Sequence, residues 1–191
     1  MDENDDDDVV GFFRDGDKEA FNRLFKRFFD PLVHHIEVKF GDFHLAEDAA
    51  IETWHAIHAM GGSQLVADTA HFWNLLKLIG NQRAIDNWRR RRPAQELPSE
   101  DQQGTPFVIP AAMADPIVKL IQQDELARLA GAIRGLRLPH RAVVIMYYLE
   151  DIPVETIATN FNVSEGTVYR WLHEARQELL RYLSDGEQGL R

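Results

Sequence analysis

The chain has 191 residues, of which 45% are hydrophobic and 27% charged, a composition typical of a soluble globular protein with one moderate core or two small ones. It contains no cysteine, which excludes disulfides and thiolate metal sites. We find neither a signal peptide nor a segment apolar enough to span a membrane, and we therefore expect a cytoplasmic protein.

The net charge of −10 is distributed unevenly along the chain. Residues 1–19 carry two basic and nine acidic groups, a net charge of −7, and residues 93–116 carry four acidic groups and no basic one. The remainder therefore sums to +1, so the acidic pI does not exclude contact between the rest of the chain and nucleic acid.

The N-terminal half predicts an acidic tail followed by a helical domain. Residues 1–16, with aspartates at all positions of 5–8, predict a disordered tail, and residues 17–92 predict helices. We expect Pro31 to kink or break the first helix and Gly61-Gly62 to end the second. The apolar runs at helical spacing are Phe21, Leu24, Phe25, Phe28, Leu32, Ile36 and Phe40; Leu45, Ala49, Ala50, Trp54 and Ile57; and Phe72, Leu75, Leu76, Ile79, Ile85 and Trp88.

The second half predicts a linker, a second helical domain and a short tail. Residues 93–116 contain five prolines and one glycine, which predict an extended linker. Residues 117–183 predict a C-terminal helical domain, and residues 184–191 a tail. No segment alternates with the period of a strand, so the predicted fold class is all-α: two small helical domains joined by a flexible linker.

Residues 151–176 have the pattern of a helix-turn-helix. Asn162 suits a turn that requires positive φ, and Ser164 suits the cap of the next helix. With Val168, Leu172, Ala175 and Leu179 facing inward, the opposite face would meet base edges and phosphates in the major groove. That face comprises Glu165, Gly166, Thr167, Tyr169, Arg170, His173 and Arg176.

The segment from Phe72 to Arg92 is the second candidate nucleic-acid surface. It combines amides, Trp88 and a run of four arginines, the residue types that bind phosphates, stack on exposed bases and read base edges in opened DNA. The alternative is a solvated basic helix end with Trp73 and Trp88 in the core.

Taken in order, these features resemble the extracytoplasmic-function (ECF) group of bacterial RNA polymerase sigma factors. The first motif is Ala46-Glu47-Asp48-Ala49-Ala50-Ile51-Glu52-Thr53-Trp54, and the second runs from Phe72-Trp73-Asn74-Leu75-Leu76 through Ile79-Gly80-Asn81-Gln82 to Ile85-Asp86-Asn87-Trp88-Arg89-Arg90. The third is Ser164-Glu165-Gly166-Thr167-Val168 with Leu172, Ala175 and Arg176. The resemblance covers roughly residues 17–183 and depends on the motifs jointly.

The resemblance implies a non-enzymatic transcription initiation factor, without metal or cofactor, that directs RNA polymerase core to promoters and helps to open them. It places Glu47, Asp48 and Glu52 on the largest polymerase subunit and the acidic linker in a basic channel of the polymerase. The minus-ten promoter element would contact Asn81, Arg83, Asp86, Asn87, Trp88, Arg89, Arg90 and Arg91. The minus-thirty-five element would contact the helix from Ser164 to Arg176, through Ser164, Glu165, Thr167, Tyr169, Arg170, His173 and Arg176. The resemblance leaves open whether an anti-sigma protein is a further partner.

The chain also departs from the family pattern at several positions. Ile51 replaces the usual glutamine beside Glu52, Gly80-Asn81-Gln82 replaces Ala-Arg-Asn, and Trp171 stands where a basic residue is common. Promoter preference therefore does not transfer from the family.

Two alternatives come from other classes of protein. A one-component helix-turn-helix regulator would explain residues 151–176 but not the arginine run. A di-iron helix-bundle enzyme would use Glu52-x-x-His55, but the sequence lacks a second such pair. We expect the histidines outside His55 and His58 to be surface or edge residues, namely His34, His35, His44, His71, His140 and His173.

Overall fold

The computed structural model describes residues 3–63, 66, 68–91 and 123–188, and every regular element in these ranges is helical. The chain divides into two compact units, Met1–Ala94 and Gln95–Arg191. The predicted linker at 93–116 and the start of the predicted C-terminal domain lie outside the described residues.

Unit 1 contains four helices: α1 (Glu3–Asp15), α2 (Lys18–Phe40), α3 (Phe43–His58) and α4 (Thr69–Arg91). Side chains define where α2 and α3 begin, since Asp17 Oδ1 accepts from the Glu19 N–H at 2.8 Å and Asp42 Oδ1 accepts from the Leu45 N–H at 3.0 Å. Between them Gly41 ends α2 with φ of 66°, a conformation that glycine adopts without steric cost.

Pro31 lies inside α2 and does not break it, contrary to one of the two outcomes that we expected. Leu32, Val33 and Ile36 follow it directly and are all buried. Their burial on the same side of the helix offsets the loss of one backbone hydrogen bond, so the helix continues to Phe40.

Aromatic rings form the centre of unit 1. Trp54 of α3 lies edge-on to Phe21 at 5.6 Å and to Phe72 at 5.9 Å, and Phe72 is also in contact with Phe13 at 5.8 Å. These rings come from all four helices, so the core joins α1 to the other three helices.

The prediction of a disordered N-terminal tail is wrong for residues 3–15, which form α1. Val9, Phe12 and Phe13 are buried, and they recur at helical spacing beneath the aspartates. We did not recognise this apolar face from the composition, because the acidic residues in this segment outnumber the apolar ones.

Two of the aspartates have structural partners. Asp8 forms an ion pair with Arg23 of α2 at 2.7 Å, and Asp6 accepts from the backbone N–H of Thr69, at the start of α4, at 2.7 Å. The proximity of the Thr69 side chain and this backbone hydrogen bond lower the pKa of Asp6. Because Thr69 and Arg89 lie 20 residues apart on one helix, the contact between Asp6 and Thr69 is about 30 Å from Arg89.

Unit 2 contains α5 (Gln123–Gly135), α6 (His140–Val144), α7 (Val154–Phe161) and α8 (Glu165–Gln188), and α6 continues into a π-helical turn, Ile145–Leu149. Its core is apolar, and α8 continues beyond residue 183, where we predicted a tail. The fully buried large side chains are Met146, Ile157, Phe161 and Leu172.

His140 is buried, which contradicts the expectation that the histidines outside the Glu52–His55 pair are surface or edge residues. Its Nε2 lies 3.0 Å from Glu174 Oε2 and its Nδ1 lies 3.4 Å from Glu178 Oε2. The two carboxylates lie one turn apart on α8, so His140 joins the start of α6 to the middle of α8.

The packing of α1 predicts that Phe13→Ala destabilises unit 1 by about 3–5 kcal/mol, the usual cost of removing a buried phenylalanine. Urea unfolding followed by tryptophan fluorescence measures this free energy. Phe43→Ala is the matched control, because Phe43 is 50% exposed, and it should cost far less. Equal stability of Phe13→Ala and wild type would mean that α1 is not docked.

The environment of His35 predicts a pH dependence of stability. Burial, with a smaller contribution from the charges of Lys39 and Lys77, lowers the pKa of His35 from 6.5 to about 3. The unfolded chain therefore binds the proton more readily between those values, and this contribution to stability is lost as the pH falls below 6.5. His35→Gln should show a shallower loss of stability from pH 8 to pH 5 than the control His34→Gln, and identical slopes would contradict the prediction.

Candidate nucleic-acid interface

The turn between α7 and α8 has the predicted helix-turn-helix geometry. Asn162 follows α7 with φ of 53° and ψ of 51°, the left-handed conformation that reverses the chain in one residue. Ser164 Oγ then accepts from the Thr167 N–H at 3.2 Å and caps α8. Both predictions for this turn are confirmed.

The inner face of α8 packs on α7. Val168, Leu172 and Ala175 are buried as predicted, whereas Leu179 is half-buried. Trp171 is also buried, with its ring edge-on to Phe161 at 5.7 Å. The residue at the position where the family often carries a basic side chain therefore faces the core of unit 2.

The predicted reading residues differ in accessibility. Glu165, Arg170 and His173 are exposed along the outer face of α8, and Thr167, Tyr169 and Arg176 are half-buried. Ser164 is exposed, but its hydroxyl already contacts the Thr167 hydroxyl at 3.0 Å as well as capping the helix. Of the two arginines on this face, Arg170 is therefore the more accessible to a ligand.

Tyr169 and Arg176 lie at the edge of the face near the π-helical turn. Burial, followed by the nearby Tyr147 and Glu165, raises the pKa of Tyr169 above its ordinary value. Arg176 Nη2 donates to the Tyr148 hydroxyl at 2.8 Å. Tyr148, which the sequence analysis did not select, therefore holds the guanidinium of Arg176.

In unit 1, three residues predicted to contact the minus-ten element are buried in α4. Asn81 and Asn87 are each 7% exposed and Trp88 is 6% exposed, so Trp88 belongs to the core and cannot stack on a base in this structure. The prediction of accessible DNA contacts at these positions is wrong for this structure, and for Trp88 the core alternative holds. The physical reason is helical periodicity: the three residues share the inner face of α4 with Ala84 and Ile85.

The remaining predicted residues of α4 lie on its accessible side. Arg83, Asp86 and Arg89 are half-buried, and Arg90 and Arg91 are exposed. Gln82, next to buried Asn81, is exposed and is the amide on this stretch that a base can reach. Its position follows from the 100° rotation between neighbouring residues of a helix.

The acidic residues predicted to bind polymerase lie on α3, with Asp48 exposed and Glu47 and Glu52 half-buried. Two of them pair with arginines of α4: Glu52 Oε1 lies 3.3 Å from Arg90 Nη2, and Asp48 Oδ2 lies 2.7 Å from Arg91 Nη2. The structure therefore brings together residues that the sequence analysis placed in two separate surfaces.

Sequence reasoning missed Lys39, which is 1% exposed. Its Nζ lies 2.8 Å from Asn81 Oδ1 and 2.8 Å from His35 Nε2. A buried cation needs such polar partners, and Asn81 supplies one of them, which explains why its amide faces inward. The sequence did contain an indication of this burial, because Lys39 lies between Ile36 and Phe40 in the apolar run of α2.

No group of three or more histidine and acidic side chains in the described ranges could hold a metal ion. Glu52, the first residue of the candidate di-iron pair, contacts Arg90 instead. Within the same ranges, no helix is both long and apolar enough to cross a membrane.

Comparisons with known proteins place the chain in a family. Residues 126–179 match the family described as Sigma-70, region 4. The chain is 32% identical over 143 residues to the ECF RNA polymerase sigma factor SigL of Mycobacterium tuberculosis, covering 73% of this chain and 75% of SigL. It is 26% identical over 178 residues to the ECF RNA polymerase sigma factor SigW of Bacillus subtilis, covering 89% and 92% of the two chains.

A solved structure of an RsbN–BldN complex aligns with 20% identity and a TM-score of 0.32, covering 87% of this chain and 93% of that one. The assignment depends on the sequence relatives, since SigL exceeds 30% identity over three quarters of its length. Together with the helix-turn-helix in the region matched to Sigma-70 region 4, that identity shows that this chain belongs to the ECF RNA polymerase sigma factors, whose partners are polymerase core and promoter DNA.

Proposed function

We propose that unit 1 binds polymerase core and the opened minus-ten element, and that unit 2 binds the duplex minus-thirty-five element. The observation that carries the proposal is the capped turn from α7 into α8, which leaves one face of α8 open beside a buried core. In this proposal the chain works in the cytoplasm and is not itself an enzyme, because RNA synthesis belongs to the polymerase.

For the minus-thirty-five element, we assign the role of each residue of α8 from the exposure of its side chain. Arg170 and His173 project from the exposed face and are the proposed readers of base edges or phosphates. Arg176, held by Tyr148, is placed at the edge of the helix, where a phosphate contact is the simpler role. Ser164 and Thr167 act through the helix cap, and the capped N-terminus also suits a phosphate.

For the minus-ten element, the burial of Asn81, Asn87 and Trp88 supports a smaller contact surface. We assign it to Gln82, Arg83, Asp86 and Arg89 on the accessible side of α4. An amide and two guanidiniums can pair with the edges and the phosphates of an unstacked strand. Asn81 supports this surface indirectly, through its bond to Lys39.

For polymerase, the proposed docking surface is the face of α3 that carries Glu47, Asp48 and Glu52. Carboxylates at successive turns of one helix complement a basic protein surface and favour rapid association. Ile51, 44% exposed on the same helix, adds an apolar contact in place of the glutamine that is common in the family.

The first test is transcription in vitro with polymerase core on a genomic library, with and without this protein, to identify a promoter. On that promoter, Arg170→Ala should weaken binding by about 1–3 kcal/mol if Arg170 pairs with a base, or should reduce the salt dependence if it pairs with a phosphate. Arg181→Ala removes the same charge further along α8 and should have a much smaller effect. Unchanged affinity, selectivity and salt dependence in Arg170→Ala would contradict the assignment.

The second test separates Gln82 from Asn81. Gln82→Ala should reduce binding to a single-stranded minus-ten oligonucleotide without changing the unfolding temperature, because Gln82 is exposed. Asn81→Ala should instead lower stability by about 1–3 kcal/mol, because it removes a buried acceptor of Lys39. The reverse result, a stable Asn81→Ala protein that fails to bind DNA, would mean that Asn81 itself contacts the DNA.

A further inference from the structure

Four polar side chains lie together at one edge of the outer face of α8. Tyr147 and Tyr148 come from the π-helical turn, and Tyr169 and Arg176 lie two turns apart on the same side of α8. The rings of Tyr147 and Tyr148 are 4.9 Å apart at an angle of 83°, and Arg176 Nη2 donates to the Tyr148 hydroxyl at 2.8 Å. We call these four residues the tyrosine–arginine edge.

The π-helical turn presents Tyr148 to α8. The Glu150 N–H donates to Ile145 O at 3.1 Å, a hydrogen bond that spans five residues, and turns of this kind are frequent at functional sites. Met146 is fully buried, whereas Tyr148, two residues later, is 44% exposed. Tyr148 therefore reaches Arg176 from the accessible side of unit 2, where a ligand can approach both side chains.

The hydrogen-bonding chemistry of Tyr148 and Arg176 favours an anion as the ligand. A guanidinium has five N–H donors and no acceptor. The Tyr148 oxygen accepts from Arg176, so the hydrogen of this hydroxyl points elsewhere and can be donated to a ligand. Within the described ranges, no carboxylate forms an ion pair with Arg176. The two side chains therefore offer donors and a positive charge, which match the oxygens of a phosphate.

We propose that Tyr148 is a positioning residue for Arg176, and that the Arg176 guanidinium binds one backbone phosphate of the minus-thirty-five duplex. Tyr148 holds the guanidinium at the edge of α8 before the DNA binds. This inference rests on the proposed function, because that function places duplex DNA on the outer face of α8.

The contact with Tyr148 reduces the entropy that Arg176 loses when it binds. A free arginine side chain loses many rotamers when it pairs with a ligand, whereas a guanidinium that is already held loses fewer. Arg170 differs in this respect, because it is exposed and has no hydrogen bond or ion pair to another described residue. Arg176 is therefore suited to fix the position of α8 on the DNA backbone, and Arg170 can adapt to the bases.

The main experiment measures binding of the holoenzyme, which is this protein with polymerase core, to the promoter that the transcription test identifies. Tyr148→Phe keeps the ring and removes the hydroxyl, and it should weaken binding about three- to tenfold. Tyr182→Phe is the matched control, because Tyr182 is 57% exposed on α8 outside the tyrosine–arginine edge, and it should bind like wild type. Equal binding by Tyr148→Phe and wild type would overturn the proposal.

A double-mutant cycle tests whether Tyr148 acts through Arg176. Arg176→Ala should weaken binding more than Tyr148→Phe does. Adding Tyr148→Phe to Arg176→Ala should then cause less than about a twofold further loss, because the group that Tyr148 positions is absent. Additive losses would mean that Tyr148 acts independently of Arg176, and the positioning role would be wrong.

The salt dependence of binding tests the charge of the ligand. Arg176→Ala should reduce the slope of log affinity against log salt by about one unit, since one phosphate contact is lost. Tyr148→Phe should leave the slope unchanged, because it retains the charge of Arg176. An unchanged slope in Arg176→Ala would overturn the phosphate contact.

Duplexes in which a neutral methylphosphonate replaces one backbone phosphate at a time locate the contact. At one position in or beside the minus-thirty-five element, the replacement should weaken binding of the wild-type holoenzyme. On that duplex Tyr148→Phe and Arg176→Ala should bind no more weakly than wild type. If both variants keep their full loss on every substituted duplex, the phosphate assignment is overturned.

Promoter-specific transcription by the wild-type protein separates this inference from the proposed function. Specific transcription without coupling between Tyr148 and Arg176 would overturn this inference alone. Absence of specific transcription would overturn the proposed function and, with it, this inference.

Discussion

The orientation of the reading helix depends on one backbone conformation, the left-handed turn at Asn162. Positive φ at this residue reverses the chain immediately after α7, and the Val163 N–H then donates to Ala158 O at 3.0 Å. The small Ala158 side chain and the Phe161–Trp171 contact allow α8 to pack closely across α7. Because this packing determines which side of α8 is buried, it also determines which residues can meet DNA.

In unit 1, helix packing also determines which side of α4 is accessible, and there it buries residues that we predicted to contact DNA. The inner face of α4 carries polar and aromatic groups that resemble a DNA surface in sequence, but Asn81 and Trp88 contribute to the core. Buried Lys39 gives Asn81 a structural partner at 2.8 Å. Between residues 82 and 91 the accessible side then offers cations and one amide, Gln82, so the proposed DNA contacts occupy one narrow strip of α4.

The charged side chains of unit 1 act through specific pairs, and the net charge of the protein does not describe their effect. Asp8 pairs with Arg23 and Asp6 caps α4, so part of the acidic N-terminal run stabilises unit 1. At the other end of α4, the carboxylates of α3 pair with Arg90 and Arg91. Asp6 at the N-terminus of α4 and the arginines in its last turn each have the sign of charge that the helix dipole favours.

The sequence by itself determined the all-α class, the positions of most helices, and the turn and cap of the helix-turn-helix. These features depend on local periodicity and on residues such as Asn162 and Ser164, whose conformational preferences act within a few positions. It also predicted the family through motifs that are local patterns, and the comparisons with SigL and SigW confirm the family.

Only the tertiary structure decided which members of each motif are accessible and which charges meet. The burial of Trp88 and His140, the docking of Phe13 and the inward position of Lys39 depend on helices that are distant in sequence. A segment such as α1 has only a weak helical pattern of apolar residues in its sequence. Its few apolar side chains stabilise the helix only when they pack against the other helices. Pairing of Arg91 with Asp48 has the same origin, since 43 residues separate two side chains that the packing of α3 on α4 brings to 2.7 Å.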